Sequence, residues 1–256
     1  MRPLGERTDH APGTFCWTDL CTADVQGAIA FYATLLGWEP AEIPDTGGYT
    51  LMRLRGAEVC GISAASADSP ALPRWTSWVS VADADATVAR AVELGGAIAR
   101  EGLEVMSRGR SAVVTDPQGA AVGLWQPHQF IGASVVNEVG AMVLNQLNTS
   151  DPAEAAHFYA ELFGWEFAQV VEDPAPFWEI NNGGRLNGGM MSLEPPAPPH
   201  WLTYFTSDDL DGSDALIVDM GGVVVVPPTQ VATGRIMVAR DLCFAFFALY
   251  EGVVDP

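Results

Sequence analysis

Asp19 is the residue in this chain best placed to move a proton. It lies in Phe15-Cys-Trp-Thr-Asp-Leu20, an aromatic and β-branched run that reads as a strand over Thr14–Leu20. Side chains alternate across a strand, so Phe15, Trp17 and Asp19 share one face. A carboxyl group among aromatic rings is poorly solvated when ionised, and the resulting rise in pKa suits it to general acid or base work. The plainer alternative is an acid at a strand end that satisfies a turn. A second strand carries Met142, Leu144 and Gln146 on one face, with an amide where the first has an acid. Either polar group needs a partner if it points inward.

Other chemistry is sparse. The four histidines, His10, His128, His157 and His200, form no Ser/His/Asp or Cys/His constellation with the rest of the chain. His157 falls in a helix, near its surface, and His200 reads as linker surface after a Pro-rich stretch. Glu179, in Phe177-Trp-Glu-Ile180, is either an outward strand residue or a second acid. Cys16, Cys21, Cys60 and Cys243 show no CxxC spacing and read as free thiols.

Composition narrows the partners. The 256 residues hold 32 acidic and 12 basic side chains, for a formal charge of -20. Such a surface repels phosphate backbones and anionic lipid, so neither nucleic acid nor membrane is an expected partner. Every basic residue is arginine, and without lysine there is no Schiff-base chemistry on a side chain. With 48% hydrophobic residues the chain can fill real cores. No apolar run is long enough to span a bilayer, and residues 1–13 lack an apolar signal core, so a cytoplasmic location is expected.

The elements that must position these residues come in duplicate. Phe31-Tyr-Ala-Thr-Leu-Leu-Gly-Trp-Glu39 returns as Phe158-Tyr-Ala-Glu-Leu-Phe-Gly-Trp-Glu166, with seven identities in nine at an offset of 127. Trp75 aligns with Trp201, Gly95-Gly96 with Gly221-Gly222, Gly109-Arg110 with Gly234-Arg235, and Asp116 with Asp241. The offset drifts only to 125, as small loop deletions would produce. Helical spacing of Val25, Ala28, Ile29, Tyr32 and Leu36 predicts a helix over Asp24–Leu36. Asp24 and Asp151 suit N-caps, and Gly37 and Gly164 suit left-handed C-terminal turns. Further helices are predicted over Asp83–Leu94 and Leu210–Met220, each ending in Gly-Gly. Short extended runs surround them, including Tyr49–Leu54, Trp75–Val81, Ser111–Thr115 and Ala120–Gln126. The pattern is strand, helix and about three strands, four times over, with Pro-rich dividers at Ser69–Pro73 and Glu194–Pro199 and a link at Gln126–Glu138. Helices are too few for a doubly wound parallel sheet.

This order resembles the vicinal oxygen chelate (glyoxalase/bleomycin resistance/extradiol dioxygenase) superfamily over nearly the whole chain. The resemblance rests on Asp24…Phe31-Tyr32…Leu36-Gly37-Trp38, its copy Asp151…Phe158-Tyr159…Phe163-Gly164-Trp165, the Gly-Gly helix ends, and the turn Asp116-Pro-Gln-Gly119. The second copy of that turn departs, reading Asp241-Leu-Cys-Phe244, which puts its geometry in doubt. The resemblance implies an α+β protein of two tandem domains, 11–127 and 138–253, each built of paired βαβββ modules forming an open cup-shaped barrel.

Metal-dependent members of that superfamily place His, Glu or Gln at four inward positions. Here those positions fall on Trp17, Gly61, Thr76 and Gly123, and on Leu144, Gly188, Leu202 and Ala248. A one-residue slip would bring in Trp75 or Trp201 instead. None is a credible metal ligand, so the resemblance implies a member without the family's metal site and with no cofactor. Glycine or alanine at such positions leaves room. Trp17, Trp78, Trp125, Tyr204 and Tyr250, with Gln146, then line aromatic pockets, although Trp17, Trp78 and Trp125 could equally be core filling; Trp38 and Trp165 read as core. The implied function is metal-independent processing of a hydrophobic aromatic small molecule, of natural-product, quinone or polyketide type, with Asp19 transferring the proton. The alternative is a non-catalytic protein that sequesters a drug or metabolite. Monomer and homodimer are both compatible, since fusion can supply within one chain the pairing that single domains reach by dimerising.

Overall fold

The computed structural model describes residues 5–42, 47–65, 73–171, 176–194 and 197–254. The first half runs β1 (Phe15–Thr22), α1 (Val25–Leu36), β2 (Glu39–Glu42), β3 (Thr50–Leu54), β4 (Ala57–Ala64), β5 (Arg74–Ser80), α2 (Ala84–Glu93), β6 (Ala97–Val105), β7 (Gly109–Thr115) and β8 (Ala121–Pro127). The second repeats it as β9 (Met142–Thr149), α3 (Pro152–Phe163), β10 (Glu166–Val171), β11 (Phe177–Asn182), β12 (Arg185–Ser192), β13 (His200–Thr206), α4 (Leu210–Asp219), β14 (Val223–Val231), β15 (Gly234–Arg240) and β16 (Phe246–Gly252). Most of the Pro-rich divider Ser69–Pro73, and Pro195-Pro196 of Glu194–Pro199, lie outside the described residues.

Local chemistry sets the helix ends. The Asp24 carboxylate accepts from Gly27 N, and Asp151 from Ala153 N and Glu154 N, so the first orphan amides of α1 and α3 are satisfied. Gly37 and Gly164 close the same helices at φ 72° and 75°, a region that favours glycine.

Each half forms one eight-stranded sheet, in the orders β2-β3-β4-β1-β5-β8-β7-β6 and β10-β11-β12-β9-β13-β16-β15-β14. Within a sheet the two βαβββ modules join through the antiparallel pairs β1–β5 and β9–β13, and neither sheet closes into a barrel. The first strand is longer than its alternation suggests: β1 continues to Thr22, so Asp19 sits inside a strand and not at its end. A register shift between Phe15 and Trp17 also breaks the expected shared face. Phe15 turns to the other half, against the rings of Trp165 and Trp201 at 5.3 and 5.0 Å. Met142 and Leu144 are parted in the same way by a shift opposite Tyr204 and Phe205.

The halves meet through one face of each sheet, across a core shared by both. Thr18, Ser77, Asn145 and Thr203, all buried, hydrogen-bond to one another there, as at Ser77 Oγ to Asn145 Oδ1 (2.6 Å) and Thr18 Oγ1 with Thr203 Oγ1 (3.2 Å). Around this quartet the bonds are reciprocal. Tyr32 Oη donates to Asp241 Oδ2 and Tyr159 Oη to Asp116 Oδ2, both at 3.2 Å. Trp75 and Trp201 donate to those tyrosine oxygens, both at 3.0 Å. Trp38 Nε1 reaches Gly140 O at 2.6 Å, and Trp165 Nε1 reaches Gly13 O at 2.7 Å.

The two Asp turns are alike despite their sequences. Asp116 Oδ1 accepts from Gln118 N and Ala120 N, and Asp241 Oδ1 accepts from Cys243 N and Ala245 N, all within 2.9–3.0 Å. Where Gly119 takes φ 98°, Phe244 is held at φ 71°. A bulky residue there is strained by about 1–2 kcal/mol relative to glycine. The doubt over the second turn is thereby resolved: its geometry persists in spite of the local cost.

Candidate functional site

The sheet faces turned away from the seam are the two cups. In the first, strand register lays out two rows of side chains. One row runs Leu51–Gly61–Asp19–Thr76, and the next runs Trp17–Trp78–Gly123–Val113–Arg100. Trp78 joins the rows, because its Nε1 donates to Asp19 Oδ1 at 3.0 Å. The Arg100 guanidinium lies over the Trp78 ring, 5.2 Å from its centroid, and donates through Nη2 to Ser111 Oγ at 3.3 Å. Burial raises the Asp19 carboxyl to about 6, against the opposing pull of the Trp78 N–H, of Arg100 and Arg74, and of the Thr76 hydroxyl. A carboxyl poised there exchanges its proton readily near neutral pH.

Glycine leaves less room than the sequence suggests. A methyl group on Gly61 would collide with the Tyr49 hydroxyl, and one on Gly123 with the Trp78 ring, so aromatic side chains already occupy those gaps. Trp17 Nε1 donates to Tyr49 Oη at 3.0 Å. Burial, then the Asp19 charge, push the Tyr49 phenol well above its usual range, so it stays protonated. The rim comes from the linker between the halves, where Phe130 meets Trp17 edge-on at 4.9 Å and Trp125 at 5.8 Å. Trp125 is therefore tied down, its Nε1 donating to Phe130 O at 2.8 Å. Arg108 lies over Phe130 at 5.0 Å.

The second cup has the same rows and different chemistry. Glu179–Gly189–Gln146–Leu202 forms one row and Leu144–Tyr204–Ala248–Val238–Val226 the other. The counterpart of Gly61 is thus Gly189, covered by Phe177, and not Gly188, whose Cβ direction points at Phe15 and Ile180. Glu179 shares the face of Gln146, which settles its orientation inward. Tyr204 Oη donates to Gln146 Oε1 (2.9 Å), Gln146 Nε2 to Asn148 Oδ1 (2.9 Å), and Asn148 Nδ2 to His200 Nε2 (3.3 Å). His200 Nδ1 donates to Pro198 O at 3.0 Å, so His200 ends a polar chain instead of lying free on a linker. Tyr250 packs its ring against Leu202, Tyr204 and Ala248 on the same face, while its hydroxyl stays out of the polar chain and donates to Thr233 O at 2.7 Å.

The structure therefore brings together Asp19, Trp17 and Trp78, sets Trp125 at their rim, pairs Gln146 with Tyr204, and packs the Tyr250 ring against Tyr204 and Ala248. Tyr49, Arg100 and Phe130 complete the first cup and were not singled out by sequence. Tyr49 had a usable signal, lying two residues before Leu51 on the same strand face. Arg100 had none, because β6 pairs with β7 through shifts on both sides of it. A divalent metal does not fit the positions that the resemblance assigns to its ligands: indole, glycine, alanine and leucine offer no donor, the Thr76 hydroxyl is engaged by Asp19, and the rings of Tyr49 and Trp78 fill the space beside Gly61 and Gly123. Among the described residues no three His, Cys, Asp or Glu side chains cluster as a metal site would require. A cavity of about 190 Å³ opens elsewhere, between α1 and α4, lined by Leu35, Val139, Thr206 and Leu216. Among the described residues no helix is long and apolar enough to cross a membrane.

Comparison with known proteins agrees with this architecture. CFP32 of Mycobacterium tuberculosis, which bears a provisional glyoxylase name, is 34% identical over 256 residues, covering 97% of this chain and 98% of its own. The anthracycline biosynthesis protein DnrV of Streptomyces peucetius is 30% identical over 263 residues, covering 95% of each. Among solved structures, the Mn(II)-bound glyoxalase of Novosphingobium aromaticivorans superposes with a TM-score of 0.67 at 15% identity, over 95% of this chain and 84% of that one. The 2,2',3-trihydroxybiphenyl 1,2-dioxygenase of Sphingomonas wittichii gives 0.66 at 13% identity, over 95% and 92%. At such identities the likeness is one of fold. The family model for the Glyoxalase/Bleomycin resistance protein/Dioxygenase superfamily matches twice, at residues 14–124 and 139–247. The chain is a tandem two-domain member of that superfamily.

Proposed function

We propose that the chain is a tailoring enzyme that acts on a hydrophobic aromatic small molecule in its first cup, without a metal, with Asp19 moving the proton. The observation that carries this reading is the Asp19–Trp78 pair: a carboxyl held near 6 and oriented by an indole N–H, among aromatic walls. Stacking on Trp78 and Trp17 would orient a ring system, and the ionised carboxylate would take a proton from a carbon or hydroxyl presented to it. The names of the anthracycline biosynthesis relatives support a polycyclic, ketone-bearing aromatic substrate. Trp17, Trp125 and, in the second cup, Gln146, Tyr204 and Tyr250 remain binding residues in this proposal.

A non-catalytic binding protein is the second reading. It is favoured by the second cup, where Tyr204 and Gln146 offer hydrogen bonds but Asp19 has no equivalent. Tryptophan fluorescence titrated with hydroxylated anthraquinones, and product formation followed by mass spectrometry, separate the two. The enzyme reading expects turnover that falls by about 10²–10⁴ in Asp19→Asn and survives in Arg235→Met, whose side chain pairs with Asp211 outside both cups. Binding with no turnover supports sequestration, and turnover unchanged in Asp19→Asn removes the role given to that acid.

A further inference from the structure

We propose that the first cup selects ligands bearing an acidic oxygen, an ionised phenol or a carboxylate on an aromatic frame, and that Arg100 is the group that holds it. This rests on the reading of the first cup as an aromatic-ligand site. One indole carries both charges of the cup, with Asp19 at its N–H and Arg100 over its face. A guanidinium has five donors, and here the single side-chain bond is to neutral Ser111. The rest of the fork remains for a ligand, in the planar geometry that matches a carboxylate or a phenolate with a neighbouring carbonyl.

The chain's arginines divide by whether they find a carboxylate. Arg53, Arg55, Arg90, Arg110 and Arg235 all find carboxylates. Among the described residues Arg74, Arg100, Arg108, Arg185 and Arg240 form no ion pair, and three of these five belong to the first cup: Arg100 itself, Arg74, which acts on Asp19, and Arg108, over Phe130. In a chain of 32 acids and 12 bases, three arginines without an ion pair thus meet around one cup. In the second cup the matching positions are Gln146 for Asp19 and Val226 for Arg100, so the acid and the base of the first cup are absent together. An anionic oxygen on Arg100 would lie beside Asp19, which would then serve a proton on the adjacent part of the ligand.

The test uses lawsone, a hydroxynaphthoquinone ionised at neutral pH, and its neutral methyl ether, titrated calorimetrically into the full chain. Wild type should bind lawsone about tenfold more tightly than the ether, with the preference shrinking in added salt. Arg100→Met should erase the preference, Arg100→Lys should keep part of it, and Arg235→Met, an equal change of net charge in the second half, should leave it intact. Circular dichroism checks that each variant is folded. Equal affinity of wild type for the two compounds, or a preference that survives Arg100→Met, overturns the proposal while leaving the aromatic-site reading standing. Binding of neither compound overturns that reading, and the proposal with it.

Discussion

At matching positions the first cup presents Asp19, Arg100 and Tyr49, and the second presents Gln146, Val226 and Phe177. The second cup's acid, Glu179, stands two strands from Gln146, where the first has Leu51. At the seam the aromatic and acidic bonds do not diverge, although at its centre Thr18 and Ser77 of the first half meet Asn145 and Thr203 of the second. Tyr32 and Tyr159, Trp75 and Trp201, Trp38 and Trp165, and Asp116 and Asp241 make the same bonds from opposite sides. The contrast separates what the fold requires from what it leaves free to differ. Buried donors and acceptors at the seam are costly to leave unmet, so both copies keep them. Residues facing a cup carry no such shared bond.

The sharpest test of the symmetric side is to break it twice. Asp116→Ala and Asp241→Ala each strip a buried tyrosine hydroxyl of its acceptor and leave two backbone amides unpaired. Each should cost about 3 kcal/mol in urea unfolding, and the two costs should agree within about 1 kcal/mol. A large inequality would show that the seam is less symmetric in energy than in geometry.

The asymmetric side has a pH signature. The Asp19 carboxyl titrates at about 6 in the folded chain, above the value of about 3.9 expected when unfolded. The folded state therefore binds this proton more tightly, and the stability it confers is present below about pH 4 and lost as pH rises through about 6. Relative to Asp19→Asn, wild type should lose stability across that window; Gln146→Ala should show no such trend against wild type. Subtracting the variant removes the similar contributions of Asp116 and Asp241, whose carboxyls burial also raises. The groups facing Asp19 that could distort the profile are Arg74, Arg100 and Tyr49, with Cys21 and Cys60 nearby. The smallest effect is local: Phe244→Gly should stabilise by about 1 kcal/mol, and Gly119→Ala should destabilise by a similar amount, as thermal unfolding would report.

Much of this was legible in the residues. The 127-residue offset, the Asp caps and the closing glycines specify two copies of a strand-helix-strand unit, since those signals are local. Asp19 beside Trp17 was readable from alternation alone. What alternation misses is the irregular ladder. The shift at Cys16 turns Phe15 to the seam, and one extra residue between Glu166 and Glu179, which raises the offset from 127 to 128, puts the glycine of the second cup at 189 instead of 188. Arg100 lies between two shifts, and Phe130 comes from a linker whose path depends on tertiary contacts such as Ala133 N to Cys16 O. Register that depends on bulges cannot be counted off from a period of two.

The tyrosine-to-aspartate bonds across the seam also bear on how such a chain can change. Each helix-borne Tyr reads a turn that belongs to its twin, so an alteration to either turn is felt by both halves at once. The cups share no such obligation, because their side chains point away from the seam. A duplicated chain of this kind can retool one cup while the other keeps its older contents, and the partnership that holds the molecule together need not be renegotiated.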